Sequence, residues 1–143
     1  MLMDIRQITP NYAVAPQIDT SDMARLASLG FVAVINNRPD HEVTPELSSQ
    51  QMRQAAEDAG LSYHENPVEN GGLTVDMVAQ QASAIAKSDG PVFAWCRSGT
   101  RSSIVWALSQ AGKVPTDEIL KMLSDAGYQL PQLGPQIDAL AQQ

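Results

Sequence analysis

One cysteine stands in this 143-residue chain, within Pro91-Val92-Phe93-Ala94-Trp95-Cys96-Arg97-Ser98-Gly99-Thr100-Arg101-Ser102-Ser103. An apolar strand pattern ends there and an apolar helix pattern begins, so Cys96 belongs to the connecting loop. Gly99 lets backbone N–H groups turn inward, and the following helix points its positive end at whatever the loop surrounds. An anion beside Cys96 would be cradled, and such a position favours the nucleophilic thiolate. Arg97 and Arg101 add positive charge; Ser98, Thr100 and Ser102 add hydroxyls that can donate to the sulfur or cap the helix. Cys96 and Arg101 are therefore the candidate catalytic pair, with Arg97, Ser98, Gly99, Thr100 and Ser102 as the anion-binding loop. Spacing alone does not tell which arginine faces the anion. An isolated cysteine is ordinarily core filler, and the loop context reverses that reading.

The elements around this loop follow a β-then-α alternation, the order of parallel strands joined by crossover helices. Ile5 to Thr9 and Tyr12 to Ala15 read as short strands around Pro10-Asn11, forming an edge hairpin. A helix is expected from Thr20 or Ser21 to Gly30, then a strand over Phe31 to Ile35. Thr44 and Pro45 are expected to open a helix through Met52, Ala55 and Ala56, followed by a strand at Leu61 to His64. Thr74 starts a helix with Val75, Val78, Ala82 and Ile85 on its inner face, then comes the strand Val92 to Trp95. Ile104, Val105, Ala107 and Leu108 make the next helix heavily apolar, and two packing helices close the chain near Thr116 to Ala126 and Pro135 to Ala141. The expected fold is one α/β domain over residues 1–143: three layers, with a mainly parallel sheet of about 4–5 strands between helices. In such sheets the functional crevice lies beyond the carboxyl ends of the strands. Three polar loops should meet there: Asn36 to His41, Glu65 to Gly72, and Cys96 to Arg101. They bring Arg38, Asp40, Glu65, Glu69 and Asn70 toward the thiol, with Arg38, Asp40 and Glu69 as the supporting shell.

Composition excludes several functions. A net charge of −7 and a pI near 4.6 argue against general binding to nucleic acid or a membrane surface, since both need a basic face. Two histidines and one cysteine in unrelated contexts show no metal-ligand spacing, so neither a metal nor another cofactor is expected. His41 and His64 read as surface or satisfied strand residues, and Trp95, Trp106, Met77 and Met122 as core. The lone cysteine and the start Met1-Leu2-Met3-Asp4 lead to the expectation of a reducing cytoplasm without a leader.

Four residues separate Cys96 from Arg101. This run resembles the rhodanese active-site loop, whose small ring fits a sulfur carried on cysteine; protein-tyrosine and dual-specificity phosphatases use five intervening residues, usually with His before the Cys. Here Trp95 precedes it. The rest of the chain resembles another group. Phe31-Val32-Ala33-Val34-Ile35-Asn36-Asn37-Arg38-Pro39-Asp40, Tyr63-His64-Glu65-Asn66-Pro67-Val68 and Cys96 to Ser102 are similar to the phosphatase-like domain of beta-lactamase hydrolase-like proteins, over about residues 2 to 112. The resemblance implies a dual-specificity-phosphatase-like fold. It also implies association with persulfide dioxygenase or sulfide-oxidation proteins, although nothing in this chain resembles the metal-binding motif of their metallo-β-lactamase half.

Three chemistries are compatible with the loop. The leading expectation is rhodanese-type sulfur transfer. Cys96 would attack the outer sulfur of thiosulfate or a low-molecular-weight persulfide and pass it to a thiol or cyanide, with no dedicated acid needed when a stable anion leaves. The alternative is phosphomonoester hydrolysis through a Cys96 phosphoenzyme, with Arg101 clamping the phosphoryl oxygens and a carboxylic acid protonating the alkoxide. Glu69 is the candidate acid, since the expected loop holds no Asp. The third is a noncatalytic persulfide relay or redox sensor, which would need glutathione or a partner because no second cysteine exists. The expected partner is thus a small anionic sulfur donor or a phosphoester.

Overall fold

The computed structural model describes residues 3–143, so Met1 and Leu2 of the start read above lie outside the described residues. Five strands form one sheet: β1 (Arg6–Thr9), β2 (Tyr12–Ala15), β3 (Ala33–Asn36), β4 (Ser62–Glu65) and β5 (Val92–Trp95). Their order is β1-β2-β5-β3-β4; β1 runs antiparallel to β2 at one edge and every other pairing is parallel. The helices are α1 (Asp22–Ser28), α2 (Ser49–Asp58), α3 (Val75–Lys87), α4 (Thr100–Ser109), α5 (Thr116–Asp125) and α6 (Gly134–Ala141).

Side-chain alternation along the central strands divides the interior into two layers. Val92 and Ala94 of β5 join Trp106, Ile119, Leu123 and Ile137 on the side of α3 to α6, while Phe93 and Trp95 join Met23, Leu26, Met52 and Ala56 on the side of α1 and α2. Tyr12 stacks on Trp106 at 5.8 Å between centroids, and Phe31 meets Phe93 edge-on at 5.5 Å. Parallel register sets the strand ends level: Ala15 pairs with Trp95, Trp95 with Asn36, and Asn36 with Glu65. The loops that leave these ends therefore emerge side by side at one rim, as the sequence led us to expect. No helix among the described residues is long and apolar enough to cross a membrane.

Three local details differ from the sequence reading. Thr44 and Pro45 open only a single 3-10 turn, Pro45–Leu47; α2 starts after Ser48, whose extended backbone and hydroxyl acceptance from the Gln51 N–H make it the true cap. Strand β3 starts two residues later than expected, at Ala33, where its residue pairs with Ser62 of β4 and Val92 of β5 begin. On α3 Val78 and Ile85 pack against the core as expected, but the buried residues are Gln81 and Ala84, and Val75 is 71% exposed.

Gln81 is buried because it is the hub of a polar network under the rim. Its Oε1 accepts from Asn37 Nδ2 and Asn66 Nδ2, both at 2.9 Å, and its Nε2 donates to Tyr12 Oη at 3.1 Å and Asn37 Oδ1 at 3.2 Å. Ser102 Oγ donates to Asn37 Oδ1 at 2.8 Å, and Tyr12 Oη donates to the Ser102 carbonyl at 2.9 Å. Asn37 follows β3, Asn66 follows β4 and Ser102 opens α4, so one satisfied network ties three rim segments together. Gln81→Leu leaves buried partners without donors or acceptors. It is expected to cost about 3 kcal/mol of stability, read as a lowered urea midpoint; an unchanged midpoint would show that the network contributes no net stability.

Candidate active site

The cysteine loop leaves β5 directly and turns into α4 at Gly99, whose φ of +91° only glycine adopts without strain. A Cβ at that position would also collide with Tyr128 Oη. Tyr128 lies over the loop and donates to the Ser98 carbonyl at 3.1 Å, and burial raises its phenol above the ordinary tyrosine range. Cys96 is buried, and its Sγ accepts the Gly99 N–H at 3.1 Å. The first i to i−4 bond of α4 runs from Ser103 N–H to the Gly99 carbonyl, so the Arg101 and Ser102 amides have no intrahelical acceptor. These amides and the α4 dipole form an anion-favouring end around the sulfur.

Arg101 is 8% exposed. Its Nη1 donates to Glu42 Oε2 at 2.9 Å and the Val68 carbonyl at 2.6 Å, and its Nη2 donates to Glu42 Oε1 at 2.6 Å. Of five guanidinium N–H groups, three are engaged. The Nε–H and the second Nη2–H remain, and they form the side-on fork that matches two oxygens of an oxyanion. Hydrogen bonding to Glu42 raises the arginine above its ordinary range, with smaller contributions from the nearby Cys96 and Glu69 charges.

Glu42 is absent from the site residues expected from sequence, yet it is the anchor of this side of the site. Arg38 grips it a second time, through Nε to Oε1 at 3.2 Å and Nη2 to the Glu42 carbonyl at 3.0 Å, while Arg38 Nη1 reaches Gln17 Oε1 at 3.1 Å. Arg38 therefore supports Arg101 through Glu42. The Arg101 hydrogen bonds, then those of Arg38, hold the Glu42 carboxyl below its ordinary value of 4.5 despite opposing burial. Because the folded value is the lower one, the stabilisation is fully present above about pH 4.5 and is lost as pH falls through the folded value. Comparing melting temperatures of wild type and Glu42→Gln should show a gap that is wide near neutrality and closes below about pH 4.5. A gap that does not change with pH would remove the ion pair from the account.

A cavity of about 390 Å³ opens over the loop, lined by Arg97, Ser98, Thr100 and Arg101 on one side and Val68, Glu69, Asn70, Gly71 and Leu73 on the other, with Ile104 at its base. Arg97 is exposed and takes part in none of the ion pairs among the described residues. Ser98 Oγ donates to Thr100 Oγ1 at 2.9 Å. Glu69 is half-exposed at the rim, with His41 Nε2 at 2.8 and 2.9 Å from its two oxygens. Ligand atoms of His41, Glu42 and Glu69 lie within 4.8 Å of one another. Glu42 is committed to two guanidinium groups, so a cation there would compete with both.

Three expected neighbours of the thiol lie elsewhere. Asp40 accepts from Ser49 N at 2.7 Å and Ser49 Oγ at 2.8 Å, bracing the start of α2 instead of joining the supporting shell. The Ser102 hydroxyl is buried and spent on Asn37, so it serves the network beneath the site and not the anion-binding loop. Glu65 accepts from Tyr63 Oη at 3.3 Å and lines a separate hollow with Arg53 and Lys87. Tyr128 had no signal in the sequence, because nothing local marks a tyrosine after α5 as a neighbour of a loop thirty residues earlier.

Residues 4–113 match the family model described as beta-lactamase hydrolase-like protein, phosphatase-like domain. The beta-lactamase hydrolase-like proteins of Xylella fastidiosa strain Temecula1 and Agrobacterium fabrum are 32% and 30% identical over 130 and 126 residues, which is 90% and 87% of this chain. The chain spans about 30% of the length of these curated relatives. Among solved structures, a candidate phosphatase from Neisseria meningitidis is 30% identical and superposes with a TM-score of 0.83 over 97% of this chain and 99% of that one. Tk-PTP in its active form, 17% identical, gives a TM-score of 0.77 over 100% and 99% of the two chains, a likeness of fold.

Proposed function

Because the chain belongs to the family of phosphatase-like domains of beta-lactamase hydrolase-like proteins, we propose that it is a cysteine-dependent phosphatase acting on phosphomonoesters. The observation that carries this reading is the posture of Arg101, fixed by Glu42 and the Val68 carbonyl while its side-on fork stays free beside the cysteine loop. The tetrahedral phosphoryl group would rest on that fork and on the loop amides, its charge met by groups already oriented before the reaction. The Cys96 thiolate attacks phosphorus and the P–O bond to the alcohol breaks. Glu69, protonated, gives its proton to the departing alkoxide; as the carboxylate it then takes a proton from the water that attacks the phosphocysteine, releasing phosphate and the free thiolate. His41 is within reach of Glu69 and would orient it.

Sulfur transfer stays as the second reading, favoured by the four-residue spacing between Cys96 and Arg101, which makes a smaller ring. There the thiolate would attack the outer sulfur of thiosulfate, sulfite would leave, and the persulfide would pass its sulfur to a thiol. The two readings separate in one experiment, in which reduced protein is given p-nitrophenyl phosphate or thiosulfate and both released phosphate and intact mass are followed. Repeated release of phosphate supports the proposal. Gain of one sulfur from thiosulfate, with no phosphate released, would replace it by the second reading.

A further inference from the structure

The anion cavity does not end at the arginines. It shares Gly71, Leu73 and Ile104 with a second groove of about 490 Å³, walled by Val78 of α3, Leu108 of α4, Leu133 just before α6 and Leu140 of α6. Val75, 71% exposed, stands at its mouth. Volumes of this size are those of small-molecule sites. We propose that the substrate is the phosphate monoester of an aliphatic alcohol, its phosphoryl group on the cysteine loop and its hydrocarbon chain in this groove. This assignment rests on the phosphatase reading.

Two features select a chain of this kind. The groove is continuous with the end that takes the anion, so one molecule with a charged head and an apolar tail spans both. None of its lining residues carries a charge, and Val78, Leu108 and Leu140 from three helices present aliphatic side chains to it, so it suits a hydrocarbon tail and offers no ionic partner. Removing methylenes from water supplies affinity without such partners, at about 0.8 kcal/mol for a fully buried one, or roughly fourfold. Partial burial in an open groove would give about twofold for each methylene.

The test compares methyl, butyl and hexyl phosphate, with glycerol phosphate as a polar control, in two readouts: kcat/KM of the wild type and Kd for Cys96→Ser. Hexyl over methyl is expected to be about 30-fold in both, with glycerol phosphate near the methyl value. Val75→Asp, a substitution at an exposed first-turn position that tolerates an acid, should lower the hexyl-to-methyl ratio at least about fivefold at an unchanged melting temperature. Equal kcat/KM and equal Kd across the series would overturn the groove assignment while leaving the phosphatase reading intact. Tail-dependent binding with no hydrolysis of any ester would overturn the phosphatase reading and uphold the groove. Hydrolysis of a phosphotyrosine peptide far above hexyl phosphate would overturn the aliphatic assignment.

Discussion

Cys96→Ser is expected to lower kcat for phosphate release by at least about 10⁴-fold, the scale seen when an enzyme loses its nucleophile, while leaving substrate binding nearly intact. Serine is almost isosteric, and its hydroxyl can accept the Gly99 N–H that Sγ now accepts. The loop should therefore keep its shape, including the free amides at the start of α4 and the fork of Arg101. A serine hydroxyl at neutral pH, however, is not ionised, and no side chain beside position 96 is placed to take its proton: Gly99 offers a donor, and Arg101 is a cation. Binding without turnover is the signature to look for, by calorimetry with a short phosphate ester alongside steady-state rates. Loss of binding together with turnover would mean that the substitution collapsed the loop. Retained turnover would place the nucleophile elsewhere.

Arg101→Lys should cost about 10²- to 10³-fold in kcat/KM even though the charge is kept, a loss comparable to removing an oxyanion donor. Arginine here grips Glu42 with one fork and keeps its Nε–H and second Nη2–H free where it lines the cavity. A lysine ammonium carries three donors around a point and cannot satisfy Glu42, the Val68 carbonyl and an oxyanion in the same geometry. The effect should fall mainly on kcat, because the pairing with phosphoryl oxygens tightens as charge develops. Arg97→Lys should change kcat/KM much less, since Arg97 is exposed and its charge acts at longer range. If the two substitutions exchanged these effects, the anion would be assigned to Arg97, the alternative that spacing in the sequence left open.

Much of this was legible before the structure. The alternation of segments gave the α/β class and the edge hairpin, and Gly99 after an apolar strand marked the cysteine loop, because local rules govern those features. The counter-ion of Arg101 was not. Glu42 sits fifty-nine positions away in sequence, and its i,i+4 spacing to Arg38 offered a simple surface pair that satisfied the local pattern. The inner face of α3 was read only in part, since Val78 and Ile85 pack on the core but Val75 does not. A search for apolar periodicity selects Val75 and passes over Gln81, whose burial makes sense only once Asn37, Asn66 and Tyr12 are seen around it. Asp40 was drawn toward the thiol by its position on the right loop, but a side chain held by the Ser49 N–H and hydroxyl at the start of α2 cannot also face the crevice. Counting the ring from Cys96 to Arg101 put sulfur transfer first, whereas the family match and the posture of Arg101 weigh toward phosphoryl chemistry.

Tyr128 belongs to the stretch after residue 113, outside the part of the chain that the family model covers, and yet it rests on Gly99 and holds the Ser98 carbonyl. The cysteine loop is thus not a portable unit. Transplanting the matched stretch into another protein, or trimming a clone to it, would carry over the cysteine and both arginines but leave behind the lid that presses on the turn between them.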